Sequence, residues 1–297
     1  MQNFSDGKIP VPDNKASSLY GLAMARLHNL YEEEELIQIT YWLLEHYAGI
    51  TRPQYLQNPG ELVNQSTIIH FCNAIEALQK GTPIQYVIGV VDFYGLKLQV
   101  NPSVLIPRPE TEELVDIIRK ENEQKEHLKV LDVGTGSGCI ALSLARCLKG
   151  SKVTAIDISP EALNTARKNA ADNHIANVEF LELDFLEENY FIEREFDIIV
   201  SNPPYIAASE SNTMARNVLD FEPSVALFVP DKDPLVFYHR LAEVAALCLR
   251  RKGLVYAEIN ERLGPETQSV FMPDSFSSVH LLQDLFGKNR FIKATSI

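Results

Sequence analysis

The stretch that decides the fold is "KVLDVGTGSGCIALSLARCL", residues 129–148. After Lys129 it runs apolar, broken only by Asp132, passes three glycines spaced by small hydroxyl residues, and resumes as apolar residues at helical spacing. A strand that runs through a glycine-rich turn into a helix is the opening unit of a doubly wound α/β sheet. Gly134, Gly136 and Gly138 allow the backbone to approach a ligand closely. Taken alone, the turn fits a dinucleotide as well as other ligands.

Toward the C-terminus the strand–helix alternation continues. Strands are predicted at residues 129–133, 152–158, 178–184, 196–201, 253–259, 277–284 and 290–296. Helical patterns such as "CIALSLARCL" and "PEALNTARKNAADN" separate the earlier ones, which implies a mainly parallel sheet with helices on both faces. Only "LFGKN" joins the last two strands, and so short a connection requires antiparallel pairing. The expectation is a Rossmann-like, seven-stranded mixed sheet ending in an antiparallel hairpin.

Toward the N-terminus the pattern changes. "SSLYGLAMARLHNL", "EEEELIQITYWLLEHYAG" and "STIIHFCNAIEALQKG" predict helices, with "TRPQYLQNPGELV" as a turn-rich link. Glu32 to Glu35 suit the first turn of a helix, where the dipole favours carboxylates. The segment from "PIQYVIGVVDFYG" alternates and carries Gly89 and Gly95, which predicts a hairpin. "RPETEELVDIIRK" starts a helix, with an early proline and carboxylates in its first turn. Three parts are therefore expected: a small helical domain over 1–82, a hairpin linker over 83–107, and the α/β domain over 108–297.

Composition narrows the function. The chain is 45% hydrophobic and 23% charged, as in a globular protein, and no run is long and apolar enough for a membrane span. "MQNFSDGKIPVPDNK" lacks the order of a signal peptide, so a cytosolic location is expected. The four cysteines form no CxxC pair and the seven histidines no HxxxH or HExxH spacing, so neither disulfides nor a metal is expected. A net charge of −13 disfavours a dedicated nucleic-acid binder, whose affinity comes from basic contacts to phosphate.

Asp132 turns the glycine motif into D-x-G-x-G-x-G. A carboxylate there repels a pyrophosphate but suits an ammonium, which moves the reading from a dinucleotide to S-adenosylmethionine. Asp157 closes the second strand, where a carboxylate holds two ribose hydroxyls. After the third strand, Asp184 can accept from an adenine amino group and Phe185 can pack on its face, although Asp184 also fits an ordinary strand end.

The fourth strand, "FDIIVS", stops at Asn202-Pro203-Pro204-Tyr205. Two adjacent prolines remove two N–H donors and fix two φ angles. This stiff turn ends on the sheet edge that carries the glycine turn, where ligands of open α/β sheets bind. The Asn202 side chain and the Pro203 carbonyl can accept the two hydrogens of an amide and orient its nitrogen toward a sulfonium methyl. Tyr205 can pack against the planar group. Stiffness keeps the acceptors in place before reaction.

With these motifs the chain resembles the S-adenosylmethionine-dependent N5-glutamine methyltransferases that modify peptide chain release factors, the HemK/PrmC family. The resemblance extends over nearly the whole chain and includes "PIQYVIGVVDFYG", "LIPRPETEELV", "AIDISPEALNTARKNA", "SNPPYI" and "FEPSVAL". It implies a class I methyltransferase fold and the GGQ glutamine of class-1 release factors as substrate. It also implies S-adenosylhomocysteine as the second product, and a helical module that grips the factor. By position it implies cofactor contacts from Gly134, Thr135, Gly136, Ser137, Gly138, Asp157, Phe185 and Asn202, and substrate contacts from Asn202, Pro203, Pro204 and Tyr205. Arg108 in "PRPETE" either borders the site or pairs with a neighbouring carboxylate. Two alternatives share these motifs: an adenine-N6 or guanine-N2 methyltransferase, and a docking protein without catalysis. Two segments depart from the family pattern, "FVPDKDPLVFY" and Glu258-Ile259-Asn260, where Glu-Ile-Gly is usual. Both are expected to lie away from the cofactor-binding motifs.

Overall fold

Apolar side chains at helical spacing build the first part of the chain. The computed structural model describes residues 13–187, 195–271 and 275–297. Most of the N-terminal segment tested for a signal peptide, residues 1–12, lies outside them. Helices α1 (Ala16–Leu27), α2 (Glu33–Ala48) and α4 (Gln65–Gln79) bury Leu19, Leu27, Leu36, Ile39, Leu43, Phe71, Ile75 and Leu78 in one core. Between α2 and α4 lies α3 (Arg52–Gln57), a short helix where only turns were expected. Thr51 and Gln54 form a capping box there, so the polar residues that suggest a turn start a helix instead. Residues 84–88, expected to begin the hairpin, are helical as α5 (Ile84–Ile88) and stop at Gly89 in the left-handed region. Glu33, Glu34 and Glu35 occupy the first turn of α2, as expected, with Glu32 as its N-cap.

The chain divides into two compact units between Gly89 and Val90. The second begins with the hairpin of β1 (Val90–Phe93) and β2 (Leu96–Gln99), closed by Tyr94 and Gly95 at φ 47° and 75°. This is the left-handed pair that a two-residue hairpin turn requires. Then follow α6 (Pro109–Asn122), β3 (Lys129–Val133), α7 (Cys139–Cys147), β4 (Lys152–Asp157), α8 (Pro160–Asp172), β5 (Val178–Glu182) and β6 (Phe196–Ser201). A small parallel ribbon comes next, β7 (Ile206–Ala207) and β8 (Phe228–Val229), with α9 (Arg216–Phe221) between its strands. The chain ends with α10 (Val236–Cys248), β9 (Leu249–Glu258), α11 (Gly264–Val270), β10 (Phe276–Gln283) and β11 (Asn289–Ser296).

The seven-stranded sheet runs β10-β11-β9-β6-β3-β4-β5. β3, β4, β5, β6 and β9 are parallel, and β11 is antiparallel to both of its neighbours. The period of two sorts the central strands cleanly. Val130, Ile198, Val200, Leu254 and Tyr256 face one core with α6 and α7, while Leu131, Ile199, Val255 and Ala257 face the other with α10. With both faces covered, these strands are apolar almost throughout. Because the five strands are parallel, their carboxyl ends bring Gly134, Asp157, Leu183, Asn202 and Glu258 to one edge. No helix among the described residues is long and apolar enough to cross a membrane.

Candidate active site

Two cavities open at that edge. The larger, about 360 Å³, is lined by Gly134, Thr135, Gly136, Ser137, Asp157, Asp184, Phe185, Asn202, Pro203, Pro204 and Arg108, with apolar walls that include Ile158, Leu183, Val225 and Phe237. The smaller, about 170 Å³, is lined by Leu105, Arg108, Asn202, Pro203, Tyr205, Met214, Val218, Ala226 and Glu258. Asn202 and Pro203 belong to both, as do Leu105, Arg108 and Ala226, so the stiff turn is part of the partition between the two spaces.

The glycine turn is tied to the adjacent strand by Gly134 and Thr135 N–H groups that donate to the Ile156 carbonyl at 3.0 and 2.9 Å. A Cβ at Gly134 or Gly136 would meet no heavy atom within 4 Å, so these glycines leave the backbone open toward the cavity. Gly138 differs. It does not line the cavity, and a Cβ there would lie 3.2 Å from both Ala166 Cβ and Leu142 Cδ1. Its glycine serves helix packing and a φ of 83°.

Asp132 lies beneath the turn, fully buried. Its Oδ2 accepts from Thr135 Oγ1 at 2.7 Å and Ala141 N at 3.1 Å, and its Oδ1 has no partner. Burial pushes its carboxyl up to about 7. Asp157 accepts from Gly136 N at 2.8 Å and Ser159 N at 2.9 Å, and burial raises its carboxyl too, against the pull of those N–H groups. Asp184 accepts from Leu186 N at 3.0 Å. Phe185 is built into the core below the cavity, with Arg240 Cζ 6.0 Å from its ring centroid.

At the partition, Asn202 Nδ2 donates to Thr111 Oγ1 at 3.2 Å, and Thr111 Oγ1 donates to Glu258 Oε2 at 2.7 Å. Tyr205 Oη donates to Glu258 Oε1 at 3.2 Å, and Asn260 Nδ2 donates to the Tyr205 carbonyl at 3.3 Å. Arg108 joins the two segments around the site. It lines both cavities and pairs with Glu222 at 2.5 Å, whose side chain is 1% exposed. Glu222 also accepts from Ile106 N at 3.2 Å, which ties the "PRPETE" and "FEPSVAL" segments together.

The two departures from the family pattern do not lie apart from the site. Phe228, Pro230, Val236 and Phe237 line the larger cavity, and Glu258 and Asn260 bond to the Tyr205 end of the turn. The sheet is the reason: β6 and β9 are neighbours, so their carboxyl ends meet although the residues are far apart in sequence. Sequence reasoning singled out neither Thr111 nor Glu258 as a site residue. The available signal was a lone carboxylate closing the otherwise apolar run "LVYAEI".

A seven-stranded sheet with one antiparallel strand, and a glycine-rich turn after β3, the first of its strands in chain order, defines a Rossmann-like methyltransferase domain. Residues 124–248 match the methyltransferase domain family, and residues 19–89 match the PrmC N-terminal domain. A solved methyltransferase from Pyrococcus furiosus shares the fold at a TM-score of 0.51 and 20% identity, over 75% of this chain and 98% of that one. The release factor glutamine methyltransferase of Flavobacterium psychrophilum is 41% identical over 270 residues, 90% of this chain and 94% of that protein. Its counterpart from Bacteroides thetaiotaomicron is 42% identical over 268 residues, 90% and 95% of the two chains. The chain belongs to the release factor glutamine methyltransferase family.

Proposed function

We infer that this protein methylates the side-chain amide nitrogen of the GGQ glutamine in a class-1 peptide chain release factor, with S-adenosylmethionine as donor. The observation that carries the reading is the shared wall: Asn202 and Pro203 line both a large apolar cavity and a small one beside it.

The residues around the larger cavity fit the cofactor. Beneath the glycine turn, and not itself lining the cavity, the unpartnered, buried Asp132 Oδ1 suits the ammonium of the methionine moiety, directly or through water. Asp157 suits the ribose hydroxyls, Asp184 the adenine amino group, and Ile158, Leu183 and Phe185 its flat faces. When bound, S-adenosylmethionine supplies a methyl group on a positively charged sulfur.

The chain's own residues then hold the nucleophile. Asn202 Oδ1 and the Pro203 carbonyl accept the two amide hydrogens and orient the nitrogen toward the larger cavity. Pro203 and Pro204 hold these acceptors before the substrate arrives, so little reorganisation remains at the moment of reaction. The tyrosine ring of the same turn packs against the amide plane. The amide nitrogen becomes acidic only once alkylated and then releases its proton, so no strong base is needed beforehand. The helical unit up to Gly89 grips the release factor, and the reaction belongs to the cytosol. The net charge of −13 supports a protein substrate over a nucleic acid.

The test is incubation with S-adenosylmethionine and an unmodified release factor, followed by peptide mass spectrometry of the GGQ loop. One added methyl on that glutamine, lost in Asn202→Ala, is the expected result. Cofactor binding with methylation of nucleic acid instead would refute the substrate.

A further inference from the structure

Glu258 is 2% exposed, and two hydroxyls converge on its carboxylate, from Thr111 at 2.7 Å and Tyr205 at 3.2 Å. Thr111 is equally buried. Its hydroxyl has one proton, and an ionised carboxylate can only accept. Once Thr111 donates to Glu258, it can only accept from the next group in the line. That group is Asn202, whose Nδ2 lies 3.2 Å away. An amide has one donor end and one acceptor end. With Nδ2 committed to Thr111, Oδ1 is the end left for the substrate.

We propose that Thr111 and Glu258 are positioning residues, and that the carboxylate at the end of β9 fixes which end of the Asn202 amide the substrate meets. This inference rests on the reading of Asn202 as an acceptor for an amide nitrogen. Glu258 sets the direction of the whole line: Asn202 N–H to Thr111, Thr111 O–H to Glu258. The same carboxylate takes the Tyr205 hydroxyl, so both ends of the 202–205 turn are anchored to one group. If Glu258 is protonated or made an amide, its donor can face Thr111. The Thr111 proton then turns to Asn202, and the Asn202 amide rotates to present N–H groups to the N–H groups of the substrate.

The charge of Glu258 is therefore a condition for activity. Burial pushes its carboxyl up to about 6, against the bonds from Thr111 and Tyr205 and the attraction of Arg290 on β11, with Glu110 on α6 raising it further. Arg108 also lines the small cavity, and the hydroxyls of Tyr205 and of Tyr238 on α10 are held far above their usual range, so neither ionises in the working range. The sign follows directly: the ionised form dominates above about pH 6 and supports activity, and kcat falls as pH drops through 6.

The experiment measures kcat and KM for an unmodified release factor from pH 5 to 8, at saturating S-adenosylmethionine, in wild type, Thr111→Val, Thr111→Ser and Glu258→Gln. Thr111→Val is expected to lower kcat roughly ten- to hundredfold with little change in KM, because it disorders the acceptor and not the docking surface. Thr111→Ser, which keeps the hydroxyl, restores most of the rate. Glu258→Gln is slow at every pH, and the fall of the wild-type rate below pH 6 disappears. A Thr111→Val enzyme as fast as wild type would overturn the proposal. So would a wild-type kcat flat from pH 5 to 8, or a serine variant no better than valine at equal melting temperature. Wild-type methylation of the glutamine is scored separately: its absence refutes the functional reading, whereas its presence with any of those results refutes only the positioning roles.

Discussion

Asp132→Asn should make the folded enzyme more stable at pH 8 while removing its grip on the cofactor. The native carboxyl is fully buried, one oxygen has no partner, and burial pushes it up to about 7, whereas its ordinary value is 3.8. Between these values the native chain keeps a proton that the unfolded chain has lost, so stability falls as pH rises and levels off above about 7. Integrated from pH 5 to pH 8, the loss is roughly 2 to 3 kcal/mol in wild type and absent in the amide. The asparagine oxygen can keep the bonds from Thr135 and Ala141. For a unit of this size, each 1 kcal/mol is worth about 2–4 °C, so the melting-temperature difference between variant and wild type should grow by about 5–10 °C from pH 5 to pH 8. Scanning calorimetry of both proteins at the two pH values measures this difference of differences. On the proposed role of Asp132 toward the cofactor ammonium, titration calorimetry at pH 8 should show S-adenosylmethionine binding weakened about thirtyfold or more. A melting difference that does not change with pH would refute the strained carboxylate, and unchanged binding would refute its role toward the cofactor.

Three further outcomes follow from the site. Gly138→Ala should cost about 2–3 kcal/mol in urea unfolding, from its positive φ and the approach to Ala166 and Leu142, yet keep cofactor affinity; Gly136→Ala, strained by its φ of 55° but free of such contacts, should cost about 1 kcal/mol and weaken cofactor binding. Arg108→Ala should cost about 2–3 kcal/mol, since it leaves the buried Glu222 without its cation, and a loss below about 0.5 kcal/mol would show the pair to be a surface contact. Asn260→Gly should cost about 1 kcal/mol and lower kcat a few-fold, because the Tyr205 carbonyl loses its donor and the backbone there, at φ −66°, has no need of glycine.

Much of this architecture can be read before any coordinates. The sheet is legible because its strands are apolar on both faces and punctuated by motifs that fall at their carboxyl ends: the glycine turn, Asp157 and Asn202. The segment at residues 84–88 is not, because a five-residue run with apolar residues at 84, 87 and 88 satisfies helix and strand spacing alike; only its flanking Pro83 and Gly89 hint at the helix. The same holds at α3, where one set of polar residues can make a turn or cap a helix. The Thr111–Glu258 bond joins side chains 147 residues apart, and no periodicity in either segment encodes that meeting. That Asp132 lies fully buried with one oxygen unpartnered is a fact of packing alone, which the motif around it does not encode.

The wall that Asn202 and Pro203 form with Leu105, Arg108 and Ala226 also has a use in inhibitor design. Two neighbouring chambers that share one wall invite a single molecule that fills both, with a nucleoside in one and a side-chain amide in the other. Such a compound orders itself once and not twice, so its second half binds at the effective concentration set by a short linker. Its selectivity over compounds that fill only the nucleoside chamber would come from the wall itself, where the double-proline turn fixes the position of the Asn202 side chain and the Pro203 carbonyl.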